Sequence, residues 1–501
     1  AESAHVLIVN HALLLSDVVV GNRVLPEYRY LIVDEAHHLE DATTEGLSFH
    51  LDEAMLQRRL ADLGGPRAGL LGDILTLTHA AIPPQHHATL VEYVNRIHQA
   101  ARAMQHHVGV LFGAVYEFLN TQARVQANEY AAQVRITDEM RASPGWGRVR
   151  ATWDVLSQFT EGIADAMYRL TAGLGDLAEY DIGNYDDLLA GASAVARDLE
   201  EIHRQFHALV AEPVANMIYW VAVSQDARLS IHAAPLDVGP LIERHLWLAK
   251  ESVVLTSATL RTGDSFDHMR VRLGAREDQV GELALDSPFD YEASTLLYLI
   301  SDIPEPNQPA YQQRVEQGLT ELCLATEGRA LVLFTSHAQL RRTGQAIGPA
   351  LAAQGITVYD QSDGTSRQQL LEGFRETEKA VLLGTRSFWE GVDVAGEALS
   401  VLCIVRLPFA VPSDPIFAAR SETYADAFNE YAVPEAVLRF RQGFGRLIRR
   451  STDRGVVAVF DRRLLTKPYG RAFLESLPRC TVQQGPLANL PAAARGWLYD
   501  Y

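Results

Sequence analysis

Residues 30–38 read Tyr-Leu-Ile-Val-Asp-Glu-Ala-His-His. A run of apolar residues suited to a strand (Tyr30, Leu31, Ile32, Val33) stops abruptly at two carboxylates. A buried strand looks like this when it delivers acids to the carboxyl edge of a parallel sheet, where α/β proteins place their ligands. Asp34 and Glu35 then stand side by side at a cleft. An acid there can hold Mg²⁺ through its water shell, because Mg²⁺ takes oxygen ligands and keeps several waters. A second acid can orient or deprotonate a water that attacks a γ-phosphate. The same four letters, D-E-A-H, are also compatible with an ordinary exposed strand end, so the rest of the chain decides between the two.

The chain has 501 residues, enough for three or more domains, and is 48% hydrophobic. No apolar run approaches the length of a membrane span, so no membrane partner is expected. There is no signal peptide, and the first residue is Ala1 rather than Met, which reads as a truncated start. Cys323, Cys403 and Cys480 lie far apart and form no C-x-x-C pair, which argues against a disulfide scaffold, a zinc ribbon or a cysteine-held cluster within these residues. A cytoplasmic location follows as the expectation. The formal charge of −19 excludes broad coating of nucleic acid, whose non-specific affinity comes from neutralised phosphates. Any nucleic-acid contact must use basic residues confined to a groove. Those residues are nearly all arginine, since Lys250, Lys379 and Lys467 are the only lysines.

Residues 1–48 read as strand and turn pieces: Val6–Val9, Leu13–Leu15, then the acid-bearing strand. From about Leu51 to Ala211 the texture is Ala-, Leu- and Arg-rich with helical spacing, as in Thr89–Gln122, Ala151–Leu177 and Asp186–Val210. Gly64-Gly65-Pro66, Pro83-Pro84 and Pro144-Gly145 separate these helices. The pairs His86-His87 and His106-His107 cannot share a helix face and read as surface or packing residues. Strand patterns return at Ile218–Val223 and Leu229–Ala233, which flank Gln225-Asp226-Ala227 like a hairpin, and again at Ser252–Thr256. Residues 262–292 read as irregular. From Ala310 a second α/β unit alternates strands (Ala330–Phe334, Thr357–Tyr359, Ala380–Leu383, Ser400–Val405, Val456–Phe460) with helices (Tyr311–Ala325, His337–Ala353, Ser366–Arg375, Pro434–Arg450), which predicts a parallel sheet.

Four further stretches carry chemistry. Val254–Leu260 reads V-L-T-S-A-T-L, with hydroxyls after a buried strand that can relay hydrogen bonds. Leu331–Ser336 reads L-V-L-F-T-S and opens a helix, where Thr335 and Ser336 can cap the helix or meet a backbone phosphate. Leu382–Val394 reads L-L-G-T-R-S-F-W-E-G-V-D-V, a turn dense in Gly, hydroxyl, Trp and acid. In it Gly391 permits close backbone approach to a ligand. Arg439–Arg450 reads R-F-R-Q-G-F-G-R-L-I-R-R, five arginines with no acid among them. If this is one helix, Gln442, Arg446 and Arg449 share a face. An arginine pair reaching a transferring phosphate is the arginine-finger device; a solvated basic face is the plain alternative.

Together these segments resemble the DEAH-type superfamily 2 helicases of the DinG/XPD group. D-E-A-H at 34–37, S-A-T at 257–259, G-T-R-S-F-W-E-G-V-D at 384–393 and Q-G-F-G-R-L-I-R at 442–449 follow the family's order. V-N-H-A-L-L-L at 9–15 and R-L-P-F at 406–409 are also similar to DinG-type sequence. The resemblance implies an α/β fold of two RecA-like parallel-sheet lobes, the first incomplete, with a mainly helical arch-like insertion. The expected division is 1–48 for part of lobe 1, 49–215 for the insertion, 216–285 for the remainder of lobe 1 and 286–501 for lobe 2. It implies ATP and Mg²⁺ as cofactors, with Asp34 holding the metal through water and Glu35 beside it activating the attacking water. His37 would couple this site to the second lobe, and Ser257 and Thr259 would link hydrolysis to movement. Gln442, Arg446 and Arg449 would reach the γ-phosphate, and Gly391 and Asp393 would sit where nucleotide and nucleic acid meet. Asn10, Thr335 and Ser336 are weaker candidates for contacts to the nucleic-acid strand. Phe388 and Trp389 are read either as base stackers or as core. The partner implied is single-stranded or forked DNA, bound by a monomer moving 5′ to 3′ in DNA repair.

One departure from the family stands out. The phosphate-cradling loop G-x-x-x-x-G-K-[ST] is missing, because no lysine here follows a glycine or precedes Ser or Thr. In the family that loop lies upstream of the acids, and so do the cysteines of a 4Fe-4S cluster, which is therefore expected only in a longer chain. The 501 residues alone are expected to be inactive as an ATP hydrolase. The alternative reading is a non-motor module that uses the same lobes to bind nucleic acid or a partner.

Overall fold

The structure is a computed structural model and describes all residues except 1–2, 20–22, 122–131, 225, 264, 390–393, 395, 397 and 500–501. It forms two compact units. One comprises Ala1–Pro26, Asp41–Val238 and Ser413–Arg420; the other comprises Glu27–Glu40, Gly239–Pro412 and Ser421–Tyr501.

The first unit is built on three long helices, Pro84–Thr121, Gly147–Gly175 and Tyr185–Val210. Each shows the 3.6-residue apolar recurrence of a helix that buries one stripe. Val108, Leu111, Phe112, Val115 and Phe118 line the first helix, Trp153, Leu156, Ile163 and Met167 the second, and Leu199, Ile202 and Phe206 the third. Trp153 stacks on Phe206 (15° between planes), and Trp146 Nε1 donates to Val210 O at 2.9 Å. One histidine of each pair packs, His107 stacking on Phe159 and His87 Nε2 lying 3.1 Å from Leu75 O, while His86 and His106 are exposed. A four-stranded antiparallel sheet completes the unit in the order Phe49–Asp52, Leu229–Pro235, Met217–Val223, Ala132–Arg135. At the amino end the expected pieces differ from what is found. Val6–Val9 makes no strand, and Leu13–Leu15 belongs to the helix His11–Val19. Asn10 is the reason: its Oδ1 accepts from Leu13 N at 2.8 Å and caps that helix.

The second unit holds two parallel sheets. Tyr30–Val33 pairs with Ser252–Leu255, with Val33 opposite Leu255. The larger sheet has seven strands in the order Thr481–Gly485, Thr295–Ile300, Gly455–Val459, Val401–Ile404, Ala330–Leu333, Ala380–Gly384, Thr357–Asp360, all parallel. Two of its strands, Thr295–Ile300 and Thr481–Gly485, go beyond the five that the sequence pattern marks. The central strands are buried on both faces, as a sheet covered by crossover helices requires. One face carries Leu296, Tyr298, Val332 and Cys403 against the helices Tyr311–Ala325, His337–Ala352 and Leu490–Tyr499. The other carries Leu297, Leu331, Leu333 and Leu402 against Phe374, Phe440 and Phe444, from the helices Arg367–Glu376 and Val433–Phe444. Among the described residues no helix is long and apolar enough to cross a membrane.

Candidate functional site

The acid strand's pairing with Ser252–Leu255 runs out at the Asp34–Glu35 turn. Val33 is buried; Thr256 N donates to Val33 O at 2.9 Å, and Ala36 N donates to Thr256 O at 3.0 Å. Asp34 and Glu35 are thereby left exposed just past the carboxyl end. Glu35 sits at φ 48°, ψ 44°. That left-handed conformation costs a residue with a Cβ about 1–2 kcal/mol. Asp34 Oδ1 accepts from Glu35 N at 3.0 Å. Glu35 Oε2 lies 3.3 Å from His37 Nδ1 and accepts from Ser257 Oγ at 3.4 Å.

From there a polar chain runs through the S-A-T turn. His37 Nδ1 lies 2.7 Å from Ser257 Oγ. Thr259 N donates to Ser257 Oγ at 3.1 Å, and the two hydroxyls are 3.4 Å apart. Gln442 Nε2, on the helix Val433–Phe444, donates to Thr259 Oγ1 at 3.3 Å. Thr259 and Gln442 are both buried, where a hydrogen bond is electrostatically stronger than in water. Five residues picked from the sequence, Glu35, His37, Ser257, Thr259 and Gln442, thus form one connected path. Gln442 Oε1 is buried and accepts no hydrogen bond among the described residues.

The arginines are placed differently from the expectation. The predicted helix to Arg450 ends at Phe444. Gly443 and Gly445 flank that residue, and glycine lowers helix propensity by about 1 kcal/mol. Arg446 N already bonds Gly443 O in a tighter turn, and Asp453 Oδ2 accepts from Arg449 N and Arg450 N, both at 2.8 Å. Gln442, Arg446 and Arg449 therefore do not share a helix face. Arg446 Nε donates to Trp389 O at 3.1 Å.

Sequence reasoning missed Arg441. Its Nη1 donates to Arg261 O at 2.9 Å and its Nη2 to Ala258 O, so it grips the S-A-T turn from both sides. Burial, with Arg261 nearby, lowers its pKa. Its position beside Gln442 in a run without acids was the available signal, but backbone carbonyls of a distant turn are invisible in a residue pattern. Gln361 was missed too: its Oε1 accepts from Thr385 N (2.7 Å) and Thr385 Oγ1 (2.8 Å), and its Nε2 donates to Ser387 Oγ at 2.9 Å.

Other candidates resolve plainly. Ser336 caps the helix His337–Ala352, accepting from Gln339 N at 3.4 Å, and Thr335 is exposed beside it. Phe388 and Trp389 are buried, and Trp389 Nε1 donates to Phe334 O at 3.1 Å, so both are core and neither offers a face to a base. Gly391 and Asp393 lie outside the described residues. Among the described residues no group of three or more His, Cys, Asp or Glu is arranged to hold a metal.

Fold and site together define a class: a RecA-like α/β protein in which strand-end acids are wired through hydroxyls to a glutamine- and arginine-bearing helix. Residues 319–480 match the family model described as the helicase C-terminal domain. Over 488 residues the chain is 30% identical to the ATP-dependent DNA helicase YoaA of Escherichia coli (strain K12), covering 95% of this chain and 67% of that protein. Over 514 residues it is 30% identical to the 3'-5' exonuclease DinG of Bacillus subtilis (strain 168), covering 99% of this chain and 54% of that one. The structure of S. tokodaii Xpd4 is similar in fold, with a TM-score of 0.51 at 14% identity, covering 93% of this chain and 79% of that one. The chain belongs to the DinG/XPD-type family of superfamily 2 helicases. It spans 67% and 54% of the lengths of those two curated relatives.

Proposed function

We propose that this chain is the major part of an ATP-driven translocase and helicase that moves 5′ to 3′ on single-stranded DNA in DNA repair. The observation that carries the motor part of the proposal is the unbroken polar path from Glu35 through Ser257 and Thr259 to Gln442, while direction, strand and repair role rest on the resemblance to the DinG/XPD group alone. We read residues 49–215 as the arch-like insertion, 1–48 with 216–285 as lobe 1, and 286–501 as lobe 2.

Asp34 and Glu35 suit Mg²⁺: both are exposed, oxygen-only donors, and this ion binds through one or two carboxylates plus water and substrate phosphates. Asp34 is assigned to hold the ion through water. The bound ion neutralises charge across the phosphates, and ATP supplies the transferable γ-phosphoryl group. Glu35 orients and deprotonates the attacking water, with His37 and Ser257 fixing its carboxylate. Gln442 senses that site through Thr259. Arg446 and Arg449 supply positive charge toward the γ-phosphate, as arginine fingers do. No residue of the 501 is assigned to cradle the phosphates, since they contain no Gly-x-x-x-x-Gly-Lys-Ser/Thr loop.

The test is DNA-stimulated ATP hydrolysis by the full-length protein. Glu35→Gln and Arg446→Ala are each expected to lower turnover by about 10³-fold while the folded content stays unchanged. Undiminished turnover in either variant overturns the assigned roles. Absence of DNA-stimulated hydrolysis in the wild type overturns the motor itself.

A further inference from the structure

A buried ionic cluster in the second unit takes no part in the path just described. Arg272 ends the short helix Asp267–Arg272, with its side chain only 9% exposed. One arm of its guanidinium, Nη2, lies 2.5 Å from Glu40 Oε2; the other, Nη1, donates to Glu435 Oε1. The same Glu435 oxygen lies 3.3 Å from His268 Nε2, and Oε2 of Glu435 accepts from Arg439 Nη2 at 3.3 Å. The Tyr431 ring faces the Arg272 guanidinium, 5.3 Å from centroid to Cζ. Burial alone would lower the Arg272 pKa, but Glu435 and Glu40 reverse this and raise it well above the ordinary value. Burial would likewise raise Glu435, but Arg272, His268 and Arg439 hold its carboxyl well below the usual range. Arg272 and Glu435 are therefore both ions, and the Glu40 carboxyl lies against the same guanidinium.

A buried ionic cluster is a poor way to gain stability, because desolvation offsets most of the attraction, yet losing one partner leaves another charge stranded. Its value lies in fixing one arrangement. The location says which one. Glu40 is five residues past Glu35, in the helix Leu39–Gly46 that follows the acids. Glu435 is in the first turn of the helix Val433–Phe444, and Gln442 is seven residues on, near its end. Seven residues are two turns, so both side chains leave the same side of the helix, about 10 Å apart along its axis. One end of that helix is held by the ionic cluster; the other is held by Gln442 on Thr259 and Arg441 on the S-A-T turn.

We propose that Arg272 is a positioning residue: by joining Glu40 to Glu435 it sets the register of the Gln442-bearing helix against the Asp34–Glu35 segment, so that Gln442 meets Thr259. The inference rests on the motor reading for its kinetic consequence but not for its geometric one, and two measurements on the full-length protein separate them. The first is a cycle of Arg272→Met, Gln442→Ala and the double variant in DNA-stimulated ATP turnover. Arg272→Met is expected to lower kcat at least about tenfold with KM for ATP changed less than about threefold, and to add less than about twofold once Gln442 is gone. Losses that multiply in the double variant, or an unchanged kcat, overturn the proposal. The second is hydrogen exchange at the Thr259 amide, which needs no turnover. Arg272→Met is expected to speed it at least about tenfold, and Arg272→Lys, which keeps the charge but not the two-armed fork, by less. Unchanged exchange at Thr259 overturns the proposal even if the wild type hydrolyses nothing. Should Arg272→Met fail to fold, Glu40→Gln tests the same coupling with the Arg272–Glu435 pair left in place; it is expected to speed Thr259 exchange, and no change overturns the proposal.

Discussion

Replacing Arg441 by Met is the sharpest test of how the S-A-T turn is held. Methionine keeps much of the apolar stem that arginine packs with. What it removes is two charge-assisted hydrogen bonds, to Ala258 O and Arg261 O. Hydrogen bonds to charged groups contribute about 1.5–3 kcal/mol each, but Arg441 is half-buried and water can take over part of the loss, so a net of about 2 kcal/mol is the reasonable figure. The loss falls on a turn that is otherwise held by Thr259 N on Ser257 Oγ and by Gln442. An opening equilibrium shifted by about 2 kcal/mol moves about 30-fold, which amide exchange resolves easily. Exchange across Ser257–Arg261 is therefore expected to rise by about that factor, with the strands of the seven-stranded sheet unaffected. Exchange that rises uniformly across the whole unit, or not at all in that turn, would refute the clamp.

Two further outcomes follow from packing and charge. Gly443→Ala places a Cβ 2.8 Å from Trp389 Cε3 and 3.3 Å from Leu333 Cδ1. Overpacking of about 1–3 kcal/mol outweighs the helix-propensity gain of about 1 kcal/mol, so the urea midpoint is expected to fall, and a midpoint at or above wild type contradicts the packing account. In the first unit, burial and then the facing His50 lower the His232 pKa from 6.5 to about 4. The unfolded chain takes that proton first, so stability falls as the pH drops from about 6.5 toward about 4 and this contribution levels off below. His232→Gln should show a smaller fall over that range in urea midpoints; an equal fall in both proteins removes His232 as its source.

Much of this was legible in the residues, and the reasons are specific. The five marked strands of the larger sheet are short apolar runs closed by polar turns, a local signal that tertiary context had no cause to override; Tyr30–Val33 forms the expected strand but not a buried one, since Tyr30 and Ile32 are exposed and only Val33 is buried. The long helices of the first unit announce themselves by a stripe sustained over many turns. Thr295–Ile300 was harder, because a fully buried strand has no alternation, and this one sits beside an irregular segment. Leu13–Leu15 was misread because three leucines satisfy either period, and the deciding group was a cap, Asn10, three residues upstream of Leu13. The helix to Arg450 failed at two glycines whose effect depended on Asp453 capturing the amides beyond them. For the site, the residue types were readable but their wiring was not. Nothing in S-A-T says that its carbonyls need an arginine, nor does Glu40 disclose that it shares Arg272 with Glu435.

Two adjacent carboxylates on a strand ought to look in opposite directions, since successive side chains alternate. Asp34 and Glu35 lie just past the strand end, outside that alternation, and with Glu35 in the left-handed region the neighbours acquire different employment. Asp34 folds back on the backbone of its own turn, while Glu35 leans on His37 and Ser257. The two acids are consequently not interchangeable: exchanging their order would put the shorter side chain where the longer reach is needed. A division of labour between neighbours is thus written into one backbone angle.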